Sequence, residues 1–331
     1  MKVAFFIHSL DLNSCRYRIL QYLPYLKSHG VNVSIFFYSQ RWLDRMKFYR
    51  MLNQFDILCL HRKLIFPPEF RYLRHRASRI VYDFDDAIMY RSSSSKDPYS
   101  FSRRTKFAYL IKRVDFVVAG NQFLKSEVLR YNPNVVVVPT SIDLSRYPMK
   151  EDWHQEGPIT IGWLGSSSTL KYLKALLPVF ERLYRKYPNL QLKMVCDEFL
   201  DAPHLPVIKK RWSLEREIED LKSFDIGVSP LSDDLWSRGK CGLKILQYYG
   251  VGIPVVCTPV GVNRDLVEDG VNGYWAENDD QWEDRLLRLI QEERLRREMG
   301  RNGRRAVEQA YSLEVNASRI LDILKKAYAR G

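Results

Sequence analysis

The sequence predicts an α/β protein of two doubly wound domains, each a parallel sheet wrapped by helices. Short Val/Ile/Phe runs without polar alternation recur through the chain, as in strands buried on both faces. Amphipathic or charged segments of helical length separate them, the order expected of βαβ units. The stretch YPMKEDWHQEGP, from Tyr147 to Pro158, loses all periodicity and carries two prolines, after which the pattern restarts. A chain of 331 residues also exceeds the size at which one core stops growing, and its 46% hydrophobic content can fill two.

The strand KVAFFIHS opens the chain, followed by the amphipathic stretch CRYRILQYLPYLKSHG and a second strand, VNVSIFFY. Further apolar runs follow at FDILCLH, RIVYDF, VDFVVAG and NVVVVP. The boundaries expected are a first domain over 1–148, a linker and a second domain over 158–311. In the second, ITIGWLGS, LQLKMVC, DIGVSPL and IPVVCT read as strands. STLKYLKALLPVFERLYRKYP reads as one long helix and SLEREIEDLKSF as a charged one. From Gln281 onward the chain reads as helical and charged, ending in a helix within 312–331.

The net charge is +13, and all of the excess lies early: residues 1–150 hold 25 Lys+Arg against 11 Asp+Glu, and residues 151–331 hold 27 against 28. Basic aromatic segments such as RWLDRMKFYRML and SRRTKFAYLIKR suit an anionic surface, and a solvated basic face is the plainer alternative. Five scattered cysteines without a CxxC pair argue against a disulfide framework or a zinc site. No apolar run approaches the ~20 residues of a membrane span, and the start turns polar too soon for a signal peptide. A cytoplasmic protein is expected, with attachment to the inner face of the cell membrane as a further expectation.

Two stretches carry chemistry in the second half. In GWLGSSST, Gly165 permits close backbone approach, and Ser166 and Ser167 offer hydroxyls and amides where a helix begins; a plain N-cap is the alternative. In RGKCGLK, Gly239 and Gly242 allow a tight turn while Arg238, Lys240 and Lys244 bring positive charge to a helix N-terminus, which suits an anion. If the helix runs from about Lys240 to Gly250, then Lys240, Lys244 and Gln247 share one stripe.

With DIGVSPL and the long stretch DDLWSRGKCGLKILQYYGVGIPVVCTPVGVNRDLVEDGVNGYWA, these motifs resemble the donor domain of GT-B glycosyltransferases of the family 4 type. SCRYRILQYLPYLKSHGVNV, AGNQFLKSEVLRYN and VVPTSID resemble its acceptor half. The resemblance implies two Rossmann-like domains facing a central cleft, a final helix crossing back to the first domain, and retention of anomeric configuration. It implies a nucleotide-diphosphate sugar as co-substrate, no other cofactor, no metal, and a glycan or lipid-linked glycan acceptor in cell-surface polysaccharide or glycoconjugate synthesis. Where the family has two glutamates seven positions apart, this chain has Lys240 and Gln247. Gln247 can still bond ribose hydroxyls, while Lys240 cannot accept a hydrogen bond and is assigned to the diphosphate or to an acidic group on the donor. The donor site thus comprises Gly165, Ser166, Ser167, Arg238, Lys240, Cys241, Gly242, Leu243, Lys244 and Gln247. Trp212 falls where the family contacts the base, and a core aromatic is the alternative.

VYDFDDAIMY puts Asp83, Asp85 and Asp86 at the end of an apolar strand, where carboxylates must be solvated, paired or metal-bound. Asp85 matches the family's sugar-facing histidine and is the first catalytic candidate, with Asp83 and Asp86 supporting. His61, in LCLHRK, is a second, and pairing with Arg62, Lys63 or Arg91 is the structural alternative. A sugar-nucleotide epimerase of the same fold, and a non-catalytic relative that binds polyanions, are the rival expectations; no nucleic-acid partner is expected.

Overall fold

The computed structural model describes residues 1–153 and 157–329, so the middle of the predicted linker and the last two residues of the predicted C-terminal helix lie outside the described residues. The chain divides into two compact units. Unit 1 is Met1–Ser141 with Asp234–Cys241 and Leu313–Gly331; unit 2 is Ile142–Asp233 with Gly242–Ser312.

Among the described residues unit 1 carries a six-stranded sheet of β1 (Lys2–Ile7), β2 (Asn32–Phe37), β3 (Ile57–His61), β4 (Ile80–Phe84), β5 (Phe116–Ala119) and β6 (Val135–Val137), all parallel, in the order β2-β1-β3-β4-β5-β6. The apolar runs form it because both faces are covered. Ala4, Phe6, Leu58 and Leu60 point into one core, while Val3, Phe5, Ile7 and Cys59 point into the other, the two-residue alternation of a strand. The second core is closed by the C-terminal helix Leu313–Ala329, through Ala317, Leu321 and Leu324.

Unit 2 carries β7 (Ile159–Leu164), β8 (Leu190–Cys196), β9 (Val207–Arg211), β10 (Ile226–Ser229), β11 (Val255–Cys257) and β12 (Gly273–Trp275), again parallel, in the order β12-β11-β10-β7-β8-β9. This is the doubly wound order that reverses between its first and fourth strands. The switch points, where a ligand crevice opens beyond the carboxyl ends, therefore lie between β1 and β3 in unit 1 and between β7 and β10 in unit 2.

Several elements differ from expectation. The single helices predicted over CRYRILQYLPYLKSHG and STLKYLKALLPVFERLYRKYP are each broken, the first into Asn13–Arg18 and Leu23–Ser28, the second into Leu170–Lys174 and Leu177–Lys186. In both, a proline (Pro24, Pro178) lacks the N–H a helix interior needs, and the helix restarts with it in the first turn. The helix expected from Lys240 begins instead at Leu243, because Gly242 is left-handed at φ 69°. Lys240 is thus off the helix that bears Lys244 and Gln247. Among the described residues no helix is long and apolar enough to cross a membrane.

In unit 2 the helix Glu293–Ala306 lies directly on the backbone of the loop before β11. A Cβ on Gly300 would stand 1.8 Å from the Gly252 carbonyl oxygen, and Gly252 is itself left-handed at φ 77°. Backbone cannot swing aside as a side chain does. Gly300→Ala is expected to lower the unfolding free energy by about 2–3 kcal/mol, with Gly270→Ala, which meets open space but has φ 79°, costing about 1 kcal/mol. Urea denaturation checks both, and equal losses would contradict the packing.

Candidate functional site

The carboxyl edge of unit 1 is built on one buried carboxylate. Asp83, the fourth residue of β4 and 4% exposed, accepts from Arg18 Nη2 at 2.6 Å and Nε at 3.2 Å, and pairs with His61 Nδ1 at 3.0 Å. Arg18 also donates to the Val138 carbonyl at 2.5 Å. Burial alone would raise the Asp83 pKa, but the Arg18 and His61 charges hold it below the usual carboxylate range. Burial likewise opposes the charge on His61, yet the bond to Asp83, with a contribution from the Cys15 thiol, pushes its pKa up to about 9. The Cys15 thiol is lowered in spite of its burial, chiefly by His61. His61 and Asp83 therefore lie beneath the surface as an ion pair, and of the four catalytic candidates only Asp85 and Asp86 reach it.

Those two stand in the turn after β4. Arg62 bonds Asp86 at 2.6 Å and lies 3.5 Å from Asp85, while Lys240 Nζ is 3.9 Å from Asp86. Asp86 is raised by burial and by Asp85, against the pull of Lys240 and Arg62. Asp85 Oδ1 is buried without a hydrogen-bond partner, and Arg62 holds a left-handed backbone at φ 55°. Unpaired acceptors and strained non-glycine residues concentrate at functional sites. Among the described residues no group of three or more His, Cys, Asp or Glu side chains is placed to hold a metal ion, since Asp83 is turned inward to Arg18 and His61.

The stretch RGKCGLK is divided between the units. Arg238, Lys240 and Cys241 belong to unit 1: Asn121 donates to the carbonyls of Arg238 at 3.2 Å and Lys240 at 2.9 Å, and the Cys241 thiol faces the Asp85 carbonyl at 3.3 Å. Gly242, Leu243, Lys244 and Gln247 belong to unit 2. There Lys244 Nζ bonds the hydroxyl of Thr169, in the Gly165–Thr169 turn after β7, at 3.3 Å and lies 4.9 Å from the ring centre of Trp163 in that strand. Gln247 is buried one turn further on. Within that turn the Gly165 amide bonds Val195, and Ser167 gives its amide and hydroxyl to Asp197 at 2.7 and 2.9 Å. Trp212, just past β9, is half-buried and fixed by its indole N–H on Glu217 at 2.9 Å. Loop, helix start and indole thus share the carboxyl edge of unit 2.

Arg18 and Asp197 are not among the residues that the sequence singles out. Arg18 had a signal: it falls between Cys15, Ile19 and Tyr22 on an apolar stripe, where a cation requires a buried anion. Asp197, in the loop after β8, had none.

A folded pKa near 9 for His61 sets a pH signature. The folded chain holds this proton between about pH 6.5 and about 9 while the unfolded chain has lost it, so the pair stabilises fully below about 6.5 and decays toward 9, with a slope of up to about 1.4 kcal/mol per pH unit. Asp83 acts oppositely, its contribution being present above the unfolded value near 3.9 and lost in acid. Unfolding free energies measured at pH 6, 7.5 and 9 should fall with pH in the wild type and less so in His61→Gln. Parallel profiles would exclude a charged His61.

Residues 158–292 match the family model described as Glycosyl transferases group 1. No curated protein matches the sequence. Among solved structures, HepE of Anabaena in complex with UDP and glucose superposes with TM-score 0.76 at 14% identity, over 98% of this chain and 99% of that one. Sucrose-phosphate synthase of Thermosynechococcus elongatus gives TM-score 0.80 at 13% identity over 100% of both chains, and a glycosyltransferase of Rickettsia africae gives 0.75 at 13% over 98% of both. At such identities the structural likeness concerns the fold. The chain thus has the GT-B fold, and its residues 158–292 are similar to the glycosyl transferases group 1.

Proposed function

We propose that the protein transfers a sugar, with retention of configuration, from a uridine diphosphate sugar bound on unit 2 to a glycan or lipid-linked glycan taken by unit 1. The observation that carries this reading is the switch point between β7 and β10, where Lys244, the helix start at Leu243 and the Gly165–Thr169 turn meet. The first amides of a helix have no intrahelical acceptor, so they and the Lys244 ammonium suit a diphosphate. Trp212, held by Glu217, offers a ring face to a base, and Gln247 an uncharged partner for ribose hydroxyls. UDP in HepE supports uridine as the base. A leaving diphosphate held by such charge needs no metal, and Asp85 orients the reacting sugar or the acceptor hydroxyl.

Unit 1 also exposes Trp42, Leu43, Phe66 and Phe101, the last at 88%, amid its surplus of Arg and Lys. Apolar side chains among cations favour the interface of an anionic bilayer, which fits a lipid-linked acceptor in cell-surface polysaccharide synthesis and a peripheral location.

Thermal shift with a panel of nucleotide sugars tests the donor, since a ligand of the native state raises its apparent stability. UDP-sugars should stabilise the protein, and Lys244→Ala should weaken UDP about tenfold by removing one charge-assisted contact. Consumption of donor without acceptor, yielding an epimer, would replace the transferase reading. Vesicles rich in phosphatidylglycerol should sediment the wild type and lose the Trp42→Ser/Phe101→Ser variant, whereas equal binding to phosphatidylcholine would contradict the membrane role.

A further inference from the structure

The switch point of unit 1, between β1 and β3, holds a second cluster that the donor chemistry does not use. His8 follows β1, Tyr38 follows β2 and Lys63 lies two residues past β3, all half-buried. Tyr38 forms the floor. Lys63 Nζ lies 4.0 Å from its ring centre, the Arg45 guanidinium 5.0 Å, and the His8 ring 6.3 Å.

The charges here do not balance. Arg45 is taken by Glu69 at 2.7 Å, and Arg62 by Asp86 at 2.6 Å. Among the described residues no carboxylate lies within ion-pair distance of the Lys63 ammonium, which stands over the Tyr38 ring face. A half-buried ammonium without a counter-ion is costly, and a cation–π contact offsets only part of that cost. The surrounding field agrees. Burial and then Lys63, His61 and Arg62 push the His8 pKa down to about 4, so the ring is neutral at physiological pH and one ring N–H can donate. Burial, Arg45 and Lys106 likewise lower Lys63, against the pull of Glu69.

We propose that Lys63, His8 and the Tyr38 edge form a binding site for a phosphate group carried by the acceptor. The site rests on the reading of unit 1 as the acceptor unit and deepens it by naming the group recognised. Lys63 supplies the charge and His8 donates a hydrogen bond, both just past the carboxyl ends of β3 and β1, where open α/β sheets take their ligands. The glycosyl-accepting hydroxyl then belongs to a phosphorylated molecule, either a soluble phosphate ester or the headgroup of a lipid.

The test uses the full chain with histidine ring labels and sn-glycerol 3-phosphate as the probe, with glycerol as the uncharged control. Glycerol phosphate should shift the His8 resonances and raise the pKa of that ring, because a bound anion favours its charged form. Lys63→Ala should weaken the probe about tenfold and Lys63→Arg should largely restore it, while UDP affinity stays unchanged in both. Unmoved His8 resonances, or an Ala variant that binds the probe as tightly as the wild type, would overturn the site. Intact UDP binding in either case would leave the donor assignment standing. His8→Asn should weaken the probe without affecting folding, which guards against a destabilised Lys63 variant. If Lys63→Ala also loses phosphatidylglycerol vesicles, the phosphate belongs to a lipid; if it loses only glycerol phosphate, the acceptor is soluble.

Discussion

The buried contact of Arg18 and His61 with Asp83 is the constraint on which the rest of unit 1 depends. A carboxylate 4% exposed at the end of an apolar strand is stable only when its charge is met, and two cations from different elements meet it. Removing one partner of such a group typically costs about 3–5 kcal/mol, because the other charge is left stranded. The network also joins the helix Asn13–Arg18, β3, β4 and, through Val138, the segment after β6. His61 is the last residue of β3 and Asp83 the last but one of β4. Immediately after those ends come Arg62 in its left-handed conformation and the Asp85–Asp86 turn.

Charge at this edge is arranged in layers. The inner layer is closed on itself, with Asp83 held between Arg18 and His61. The outer layer pairs Asp85 and Asp86 with Arg62 and Lys240, and all four side chains keep some exposure. A pair at the surface can exchange partners when a substrate arrives, whereas a buried one cannot without a large penalty. That difference separates the buried carboxylate from the two at the surface, though the string DFDD alone makes them look alike. Unit 2 places its buried pairs elsewhere. Lys150 meets Asp225, just before β10 on the amino edge, and Asp220 is held by Lys193 and Lys210.

The fold was legible because parallel strands buried on both faces leave continuous apolar runs, and ten of the twelve strands among the described residues show one. The other two are sheet edges. β9, VIKKR, is largely solvent-facing and reads as a charged loop, and β12 has only three residues. Helix breaks were harder to place, since Pro24 and Pro178 sit inside patterns whose apolar periodicity continues across them. At the site, a carboxylate at a strand end could be read directly, whereas its partner could not be chosen: Arg62, Lys63 and Arg91 were equal in sequence, and the structure pairs Arg62 with Asp85 and Asp86, Arg91 with Asp97, and leaves Lys63 beside Tyr38. Long side chains reach across the fold, and their partners follow from packing rather than spacing. The division of RGKCGLK at Gly242 was hidden for a related reason, because one left-handed glycine moves three residues off the helix they appear to begin.

Gln247 follows from the same electrostatics. It is 2% exposed, three residues after Lys244 on the helix that begins at Leu243. A glutamate at this position would place a carboxylate within reach of the Lys244 ammonium, as residues three apart on a helix are neighbours. The resulting pair would cancel charge at the helix start, the place proposed to hold a diphosphate. It would also bury an anion at a cost that an amide avoids. Glutamine keeps two donors and an acceptor for hydroxyl groups while leaving the positive field of the helix N-terminus and Lys244 intact. The loss of a negative charge at 247 thus works in the same direction as the placement of Lys244 on Thr169: both keep the switch point of unit 2 cationic.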